Sequence, residues 1–401
     1  MHVYKIVLLG DKDHGKSTFI GNMLILTNSV SGERIKEAKR MSKELGREFE
    51  PGFILDSFSE EREEAMTIDT TRMQLAYKKA GFEFIDVPGH EELITNMLTG
   101  ASNANTAVLI VSAKKGEGIS MQTKRHLLLA MMLGINGVVV AVNKMDLADY
   151  SKDAFDKIKN GITALIDNAE KSLGKVKFEF VPISAYKGEN LINHSSNMKW
   201  YKGKPLAEVL RGYAINKRKE KDEGLRVVVQ GKMPDGTLAC KVLAGALSKG
   251  AEVISMPGSI KCVVNKIVKA GKPVLRAYPG SSPALELSNA NGIDRGSIIS
   301  SPDDTPNVGK KIDALVFFSE VPKNASIRLN GVETRCDIGI LKELDITAGT
   351  LKDGEARPLG IFKAEISCDK AVVFEKQSKA SELGRFTIYD GGKFAGLGIV
   401  I

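Results

Sequence analysis

The sequence has few cysteines, and none in a pattern that would staple a domain. Cys240, Cys262, Cys336 and Cys368 are widely spaced, all in the second half, and lack zinc-ligand spacing. A dense disulfide framework and a structural zinc site are therefore not expected, and a reducing, cytoplasmic setting is the expectation. No apolar run reaches bilayer length; Thr106 to Ala113 and Gly137 to Val142 are strand-sized instead. The start of the chain enters an apolar run without the basic segment and cleavage site of a secretion signal, so no membrane partner is expected. No exact internal repeat stands out. At 401 residues the chain is too long for the usual single domain, and two or three are expected. The formal charge of +8 with 43% hydrophobic residues describes a globular chain for which a polyanionic partner is worth considering.

The informative stretch lies near the start. An apolar run, Val3 to Leu9, reads as a buried strand, GDKDHGKST follows over 10–18, and Thr18 to Leu26 reads as a helix. Glycines allow a tight loop, and free amides at the helix start face an anion. Asp13, His14, Gly15, Lys16, Ser17 and Thr18 would thus cradle a polyphosphate. Lys16 would reach its terminal phosphates and Ser17 would coordinate Mg2+, because a polyphosphate needs amides, a point charge and a hard cation together.

Two later loops fit the same phosphate. Thr67, just ahead of a β-rich run, can place its hydroxyl on Mg2+ and its amide on a γ-phosphate. Phe82 to Val87 reads as a strand running into Asp86-Val87-Pro88-Gly89-His90. Asp86 can hold a water on Mg2+, Gly89 can present an unhindered amide, and His90 can orient the attacking water. Two loops touching one phosphate form a switch, because loss of that phosphate releases both. The intervening segment, 28–52, reads as one or two short helices with Ile35, Ala38, Met41 and Leu45 as an apolar stripe.

The base is chosen further on. Strands at Thr106 to Ala113, Gly137 to Val142 and Phe178 to Ile183 alternate with helices at Thr123 to Leu133 and Lys152 to Leu173, which predicts a parallel sheet covered on both faces. His126 on the first of these helices reads as a satisfied polar or interface residue. The strand ending at Val142 empties into Asn143-Lys144-Met145-Asp146. A carboxylate at Asp146 can accept from the N1 and N2 donors of guanine, which adenine lacks. Asn143 can organise the loop, the Lys144 stem can cover the base plane, the backbone of Ser184 and Ala185 can meet the guanine O6, and Tyr186 can support that loop. The expected ligands are GTP and GDP with Mg2+.

Beyond a helix at Gly203 to Ala214 and a charged connector the periodicity changes. Short strand candidates at 225–230, 238–243, 251–255, 261–268 and 297–300 are separated by turn residues, as in a small antiparallel barrel. Pro302 to Pro306 marks a further boundary, and strand candidates at 312–318, 325–329, 332–341, 359–366, 371–374, 384–388 and 394–401 suggest a second barrel. The expected organisation is an α/β P-loop GTPase domain with a mostly parallel sheet at 1–214, a linker at 215–223, and two small antiparallel β-barrel domains at 224–304 and 305–401.

Taken together, GDKDHGKST, EEAMTID, DVPGH, NKMD, SAYKGENL and MKWYKGKPL resemble the translation-factor-type GTPases over essentially the full length. The branch is that of elongation factor 1-alpha and the GTP-binding subunit of sulfate adenylyltransferase. Asp11 and Lys12 depart from the family's GHVDHGKST, and Ala65 and Met66 from its RGITID. The stretches PGHEELITNMLTGAS and NKMDLADYS look closer to the sulfate-activating subunit, and 225–236 lacks the GxGTVxxGRVE-like run of an elongation factor. The resemblance thus implies a GTP-hydrolysing switch partnered by an adenylyltransferase-like subunit. The alternatives are an elongation factor that binds or delivers aminoacyl-tRNA and engages the ribosome, or a divergent regulatory GTPase of the translational type. DNA is not an expected partner.

Overall fold

The computed structural model describes residues 3–44, 46, 48–55, 71–86, 106–135, 137–215, 224–379 and 382–401, with Met41, Thr71, Asp86 and Ile215 described by their backbone alone. Met1–Lys217 with Asp345–Thr350 form one compact unit, and Arg218–Leu344 with Leu351–Ile401 form a second.

The first unit is built on a six-stranded sheet. Its strands are β1 (Val3–Gly10), β2 (Thr71–Tyr77), β3 (Ala80–Asp86), β4 (Thr106–Ser112), β5 (Gly137–Asn143) and β6 (Lys177–Pro182), in spatial order β2-β3-β1-β4-β5-β6. All neighbours are parallel except the edge pair β2 and β3. The runs TAVLIVS and GVVVAVN are buried at every position of β4 and β5, as strands covered on both faces must be. The chain leaves central β1 toward β3 on one side and returns to β4 on the other. That reversal opens a crevice at the carboxyl ends of the strands, where open α/β sheets bind ligands.

Five helices accompany this sheet among the described residues: α1 (Lys16–Leu26), α2 (Gly32–Glu44), α3 (Met121–Met132), α4 (Lys152–Leu173) and α5 (Leu206–Ile215). Helix α1 starts two residues earlier than its apolar run suggests, because Gly15 at φ 91° takes the left-handed N-cap position. Helix α4 buries Phe155, Ile158, Ile162, Leu165, Ile166 and Ala169 along one stripe, and the Ser151 hydroxyl caps its start. A single helix, α2, occupies most of 28–52; Ala38 from the expected stripe enters the main core with Ile35 packed against it.

In the second unit the period is two. Strands Glu252–Met256, Ile298–Ser300, Arg226–Lys232, Leu238–Ala244, Ala284–Leu287 and Ile260–Lys269 pair in that order, and the last pairs back to the first, closing a six-stranded antiparallel barrel. Leu238–Ala244 alternates buried and half-buried residues along its length, placing Leu238, Cys240 and Val242 in the barrel core. A second closed barrel runs Ala325–Leu329, Arg385–Asp390, Lys393–Val400, Asn307–Phe318, Ile361–Phe374 and Val332–Leu344. The expected strands at 359–366 and 371–374 are one strand of 14 residues, because Asn307–Phe318 pairs along both through a bulge between Gly309 and Lys311.

Ile298, Val373 and Leu383 from the two barrels form a small shared core. Beside it the Arg226 guanidinium, 2% exposed, donates to Glu375 Oε1 at 3.0 Å and to both Asp304 carboxylate oxygens at 3.2 Å. Lys379 Nζ lies 2.9 Å from Asp304 and 3.4 Å from Glu375. Truncating one member of a buried charged network leaves the others uncompensated. Arg226→Ala is therefore expected to destabilise the barrel unit by about 3–5 kcal/mol, read from urea unfolding of the full chain.

Hydrogen bonds from Arg226 and then Lys379 hold the Asp304 carboxyl below its usual pKa of 3.8. A depressed carboxylate contributes stability that is complete above its unfolded pKa and is lost as pH falls through the folded one. Barrel stability is thus expected to drop as pH falls below about 3.8, and Asp304→Asn to weaken that dependence in acid-unfolding titrations.

Candidate nucleotide site

Four loops meet at the carboxyl edge of the first sheet. Register sets Gly10 beside Ile110, Ser112 beside Asn143 and Val142 beside Pro182, so the loops after β1, β4, β5 and β6 leave the sheet at adjacent points. This brings GDKDHGKST, NKMD and SAYKG together although they lie far apart in sequence.

The phosphate loop turns through Asp13 at φ 60° and Gly15 at φ 91°. A Cβ on Gly15 would lie 2.5 Å from Asn143 Nδ2, so glycine is required both by its backbone angle and by the close approach of the next loop. Lys16 Nζ donates to Gly10 O at 3.0 Å and Asp11 O at 2.8 Å, folding its ammonium back over the loop. No side chain caps the start of α1. First-turn amides without a side-chain cap, a lysine held at their mouth and Ser17 in the same turn fit a polyphosphate with its Mg2+.

Asn143, 2% exposed, links this loop to the base side: its Nδ2 donates to His14 O at 2.9 Å and its Oδ1 accepts from Ala185 N at 2.8 Å. Asn22 on α1 donates to Ala185 O at 2.7 Å and Tyr186 O at 3.2 Å. The Ser184 hydroxyl donates to Asp146 Oδ1 at 2.6 Å and accepts from Lys187 N at 3.1 Å, which orients the carboxylate expected to meet guanine. Lys144, at φ 60°, extends to Glu117 Oε2 at 2.8 Å. Burial pushes the Glu117 carboxyl up, but hydrogen bonds from Lys144, Ser112 and Lys114 outweigh it and bring the pKa to about 2.

Asp13, His14, Gly15, Lys16, Ser17, Thr18, Asn143, Lys144, Asp146, Ser184, Ala185 and Tyr186 are thereby gathered around one crevice. Asp86 ends β3 and is described by its backbone; Thr67, Gly89 and His90 lie outside the described residues.

Three contributors are not visible in the motifs. Glu117 holds the lysine of NKMD. Glu50 Oε1 accepts from Thr18 Oγ1 at 2.8 Å. His126, on α3, is 2% exposed and its Nδ1 accepts from Gly10 N at 3.3 Å, at the first turn of the phosphate loop. An imidazole at the border between the polar QTKR and the apolar LLLAMM of this helix is the one sequence signal available for it. Burial, then the charge of Lys16, lowers the His126 pKa to about 4, against a smaller upward pull from Asp11. Burial also lowers that of His14, opposed by its contact with Ile110 O.

The chain matches the family model described as "Elongation factor Tu GTP binding domain" over residues 1–234. Its relatives include elongation factor 1-alpha of Hyperthermus butylicus, 36% identical and covering 99% of this chain and 95% of that protein. Elongation factor 1-alpha of Aeropyrum pernix is 35% identical, covering 98% and 95%. Among solved structures, the GTP-bound Ski7 GTPase-like domain of S. cerevisiae matches with a TM-score of 0.53 at 16% identity, over 100% of this chain and 97% of that one, a likeness of fold. These relatives support the elongation-factor alternative over the sulfate-activating reading that the PGHEELITNMLTGAS stretch suggested.

Asn143→Asp retains an acceptor for Ala185 but turns a second acceptor toward His14 O. It is expected to destabilise the first unit by about 1–3 kcal/mol, measured by denaturant unfolding followed through Trp200, the chain's single tryptophan. For His126 the folded pKa lies below the unfolded value of 6.5, so the unfolded chain binds more protons between them. Stability is expected to fall as pH drops from 6.5 toward about 4, and His126→Gln to flatten that slope in thermal melts across the range.

Proposed function

The chain belongs to the translation-factor family of GTPases that carry the elongation factor Tu GTP binding domain, and we propose that it works as an elongation-factor-like switch for aminoacyl-tRNA and the ribosome. The observation that carries this reading is full-length similarity to elongation factor 1-alpha, through both barrels as well as the nucleotide domain. A formal charge of +8 suits an RNA client, and a cytoplasmic setting suits the four buried, unpaired cysteines.

In this proposal GTP is substrate and Mg2+ neutralises charge on its phosphates when bound. Ser17, Thr67 and Asp86 are the residues assigned to the metal. Lys16 supplies a point charge to the terminal phosphates, and the amides of 13–18 bind oxygens without reorganising, since Gly15 and Asn143 already fix their loop. Asp146, oriented by Ser184, accepts from the two guanine donors; the amide of Ala185, held by Asn143, flanks O6. Gly89 is assigned an amide contact to the γ-phosphate, and His90 the positioning of the attacking water.

GTP-dependent protection of charged tRNA from deacylation tests the client, and absence of protection alongside normal GTP binding would refute it. Copurification with an adenylyltransferase-like subunit is the result that would restore the sulfate-activating output. For the site, His90→Ala is expected to slow GTP hydrolysis by about 10²-fold or more while leaving nucleotide affinity near wild type, measured by phosphate release. Asp146→Asn is expected to weaken GTP binding by about 10-fold or more and relax discrimination against xanthosine triphosphate, measured by competition; unchanged selectivity would remove Asp146 from base recognition.

A further inference from the structure

Residues 48–52 lie between α2 and the buried Ile54 and Leu55, and they are fastened to both sides of the nucleotide crevice. On the phosphate side, Glu50 accepts from the Thr18 hydroxyl at 2.8 Å. On the base side, Glu48 Oε2 accepts from the Tyr186 hydroxyl at 3.0 Å. Between these tethers Pro51 and Gly52 are buried against α1. The approach is close: a Cβ on Gly21 would stand 1.9 Å from Pro51 O, and one on Gly52 would stand 3.6 Å from Ser17 Cβ. Backbone bonds from Phe53 N to Glu50 O, 3.0 Å, and from Leu55 N to Gly52 O, 2.9 Å, lock the segment to the core downstream. Upstream, the Lys39 ammonium of α2 stands 5.5 Å from the Phe49 ring centroid.

We propose that residues 48–52 form a strap that ties the phosphate helix to the base loop and slows the release of guanine nucleotide, with Glu48 and Glu50 as positioning residues. This rests on the nucleotide reading above. Two carboxylates near a polyanion oppose its binding by charge alone, so a retarding effect on release must come from their hydrogen bonds to Thr18 and Tyr186. The same opposition gives the inference a sign: removing the carboxylates speeds release if they tether the loops, and slows it if they act only as charges. Gly21 offers an independent handle on the strap. Alanine is the better helix former, so Gly21→Ala leaves α1 intact while its methyl displaces Pro51.

Dissociation of fluorescent mant-GDP from the full chain with Mg2+, chased by unlabelled GDP in a stopped-flow instrument, reads the effect. The double variant Glu48→Ala, Glu50→Ala is expected to release nucleotide about 3- to 10-fold faster. Glu48→Gln with Glu50→Gln, which keeps an acceptor at each position, is expected to restore dissociation toward the wild-type rate. Gly21→Ala is expected to resemble the double alanine variant. Release that is unchanged or slower in the double alanine variant overturns the strap, as does failure of the glutamine pair to restore it. Absence of mant-GDP binding by the wild-type chain would instead defeat the nucleotide reading. In that case hydrogen exchange of the amides at 17–19 and 185–187 decides the strap, which predicts faster exchange in the double alanine variant and is refuted by equal exchange.

Discussion

The nucleotide crevice depends on one buried carboxamide. Asn143 stands at the end of a fully buried strand, where an unmatched amide would be costly, and both ends of its side chain find backbone partners in other loops. Its donor takes His14 O from the phosphate loop, and its acceptor takes Ala185 N from the base loop. The distance between phosphate and base subsites is thereby set by a rigid planar group. Asn22 supplies a second bridge from α1 to the Ala185 and Tyr186 carbonyls, so the helix cannot slide along its axis without breaking it. The same constraint explains Gly15: with Asn143 Nδ2 2.5 Å from where a Cβ would stand, only a residue without a side chain fits.

Electrostatics follow from this packing. His14 and His126 are both buried, His126 beside Lys16, and the low-dielectric surroundings favour their neutral forms. Neutral imidazole can accept the Gly10 amide, which imidazolium cannot, so the protonation state of His126 and the shape of the loop are one fact. The positive charge of the loop is left to its lysines. At the base side the sign reverses: Glu117 draws in Lys144, which positions the stem expected to lie over the base.

Much of this was legible in the sequence because the chemistry sits in contiguous residues at the ends of strands. GDKDHGKST, NKMD and SAYKG each follow an apolar run, and hydrophobic patterning alone places the runs in a sheet. Alternating burial in segments such as Leu238–Ala244 likewise made the barrels readable. Partners distant in sequence were not readable. His126 meets Gly10 across 116 positions and Glu50 meets Thr18 across 32, and no local pattern encodes either pairing. Ser367 to Lys370 breaks the apolar run of the strand Ile361–Phe374, so composition predicts two strands there; pairing with a neighbour carries it through as one. The output of the switch is hard to read from motifs for a related reason. A few residues after DVPGH favoured a sulfate-activating relative, whereas a client is met by side chains scattered over a surface, whose sum is registered by similarity along the whole chain.

The barrels show how a small contact can fix a large orientation. Ile298, Val373 and Leu383 make an apolar seam, but three aliphatic side chains tolerate sliding. The Arg226 guanidinium does not: its planar fork reaches Glu375 on one side and both oxygens of Asp304 on another, and each bond has a direction. Desolvating that cation opposes stability, so its value lies in selecting one geometry from the many the seam would allow. The contacts between the two barrels thus select one geometry, with Asp304 in the segment that joins them serving as part of the lock.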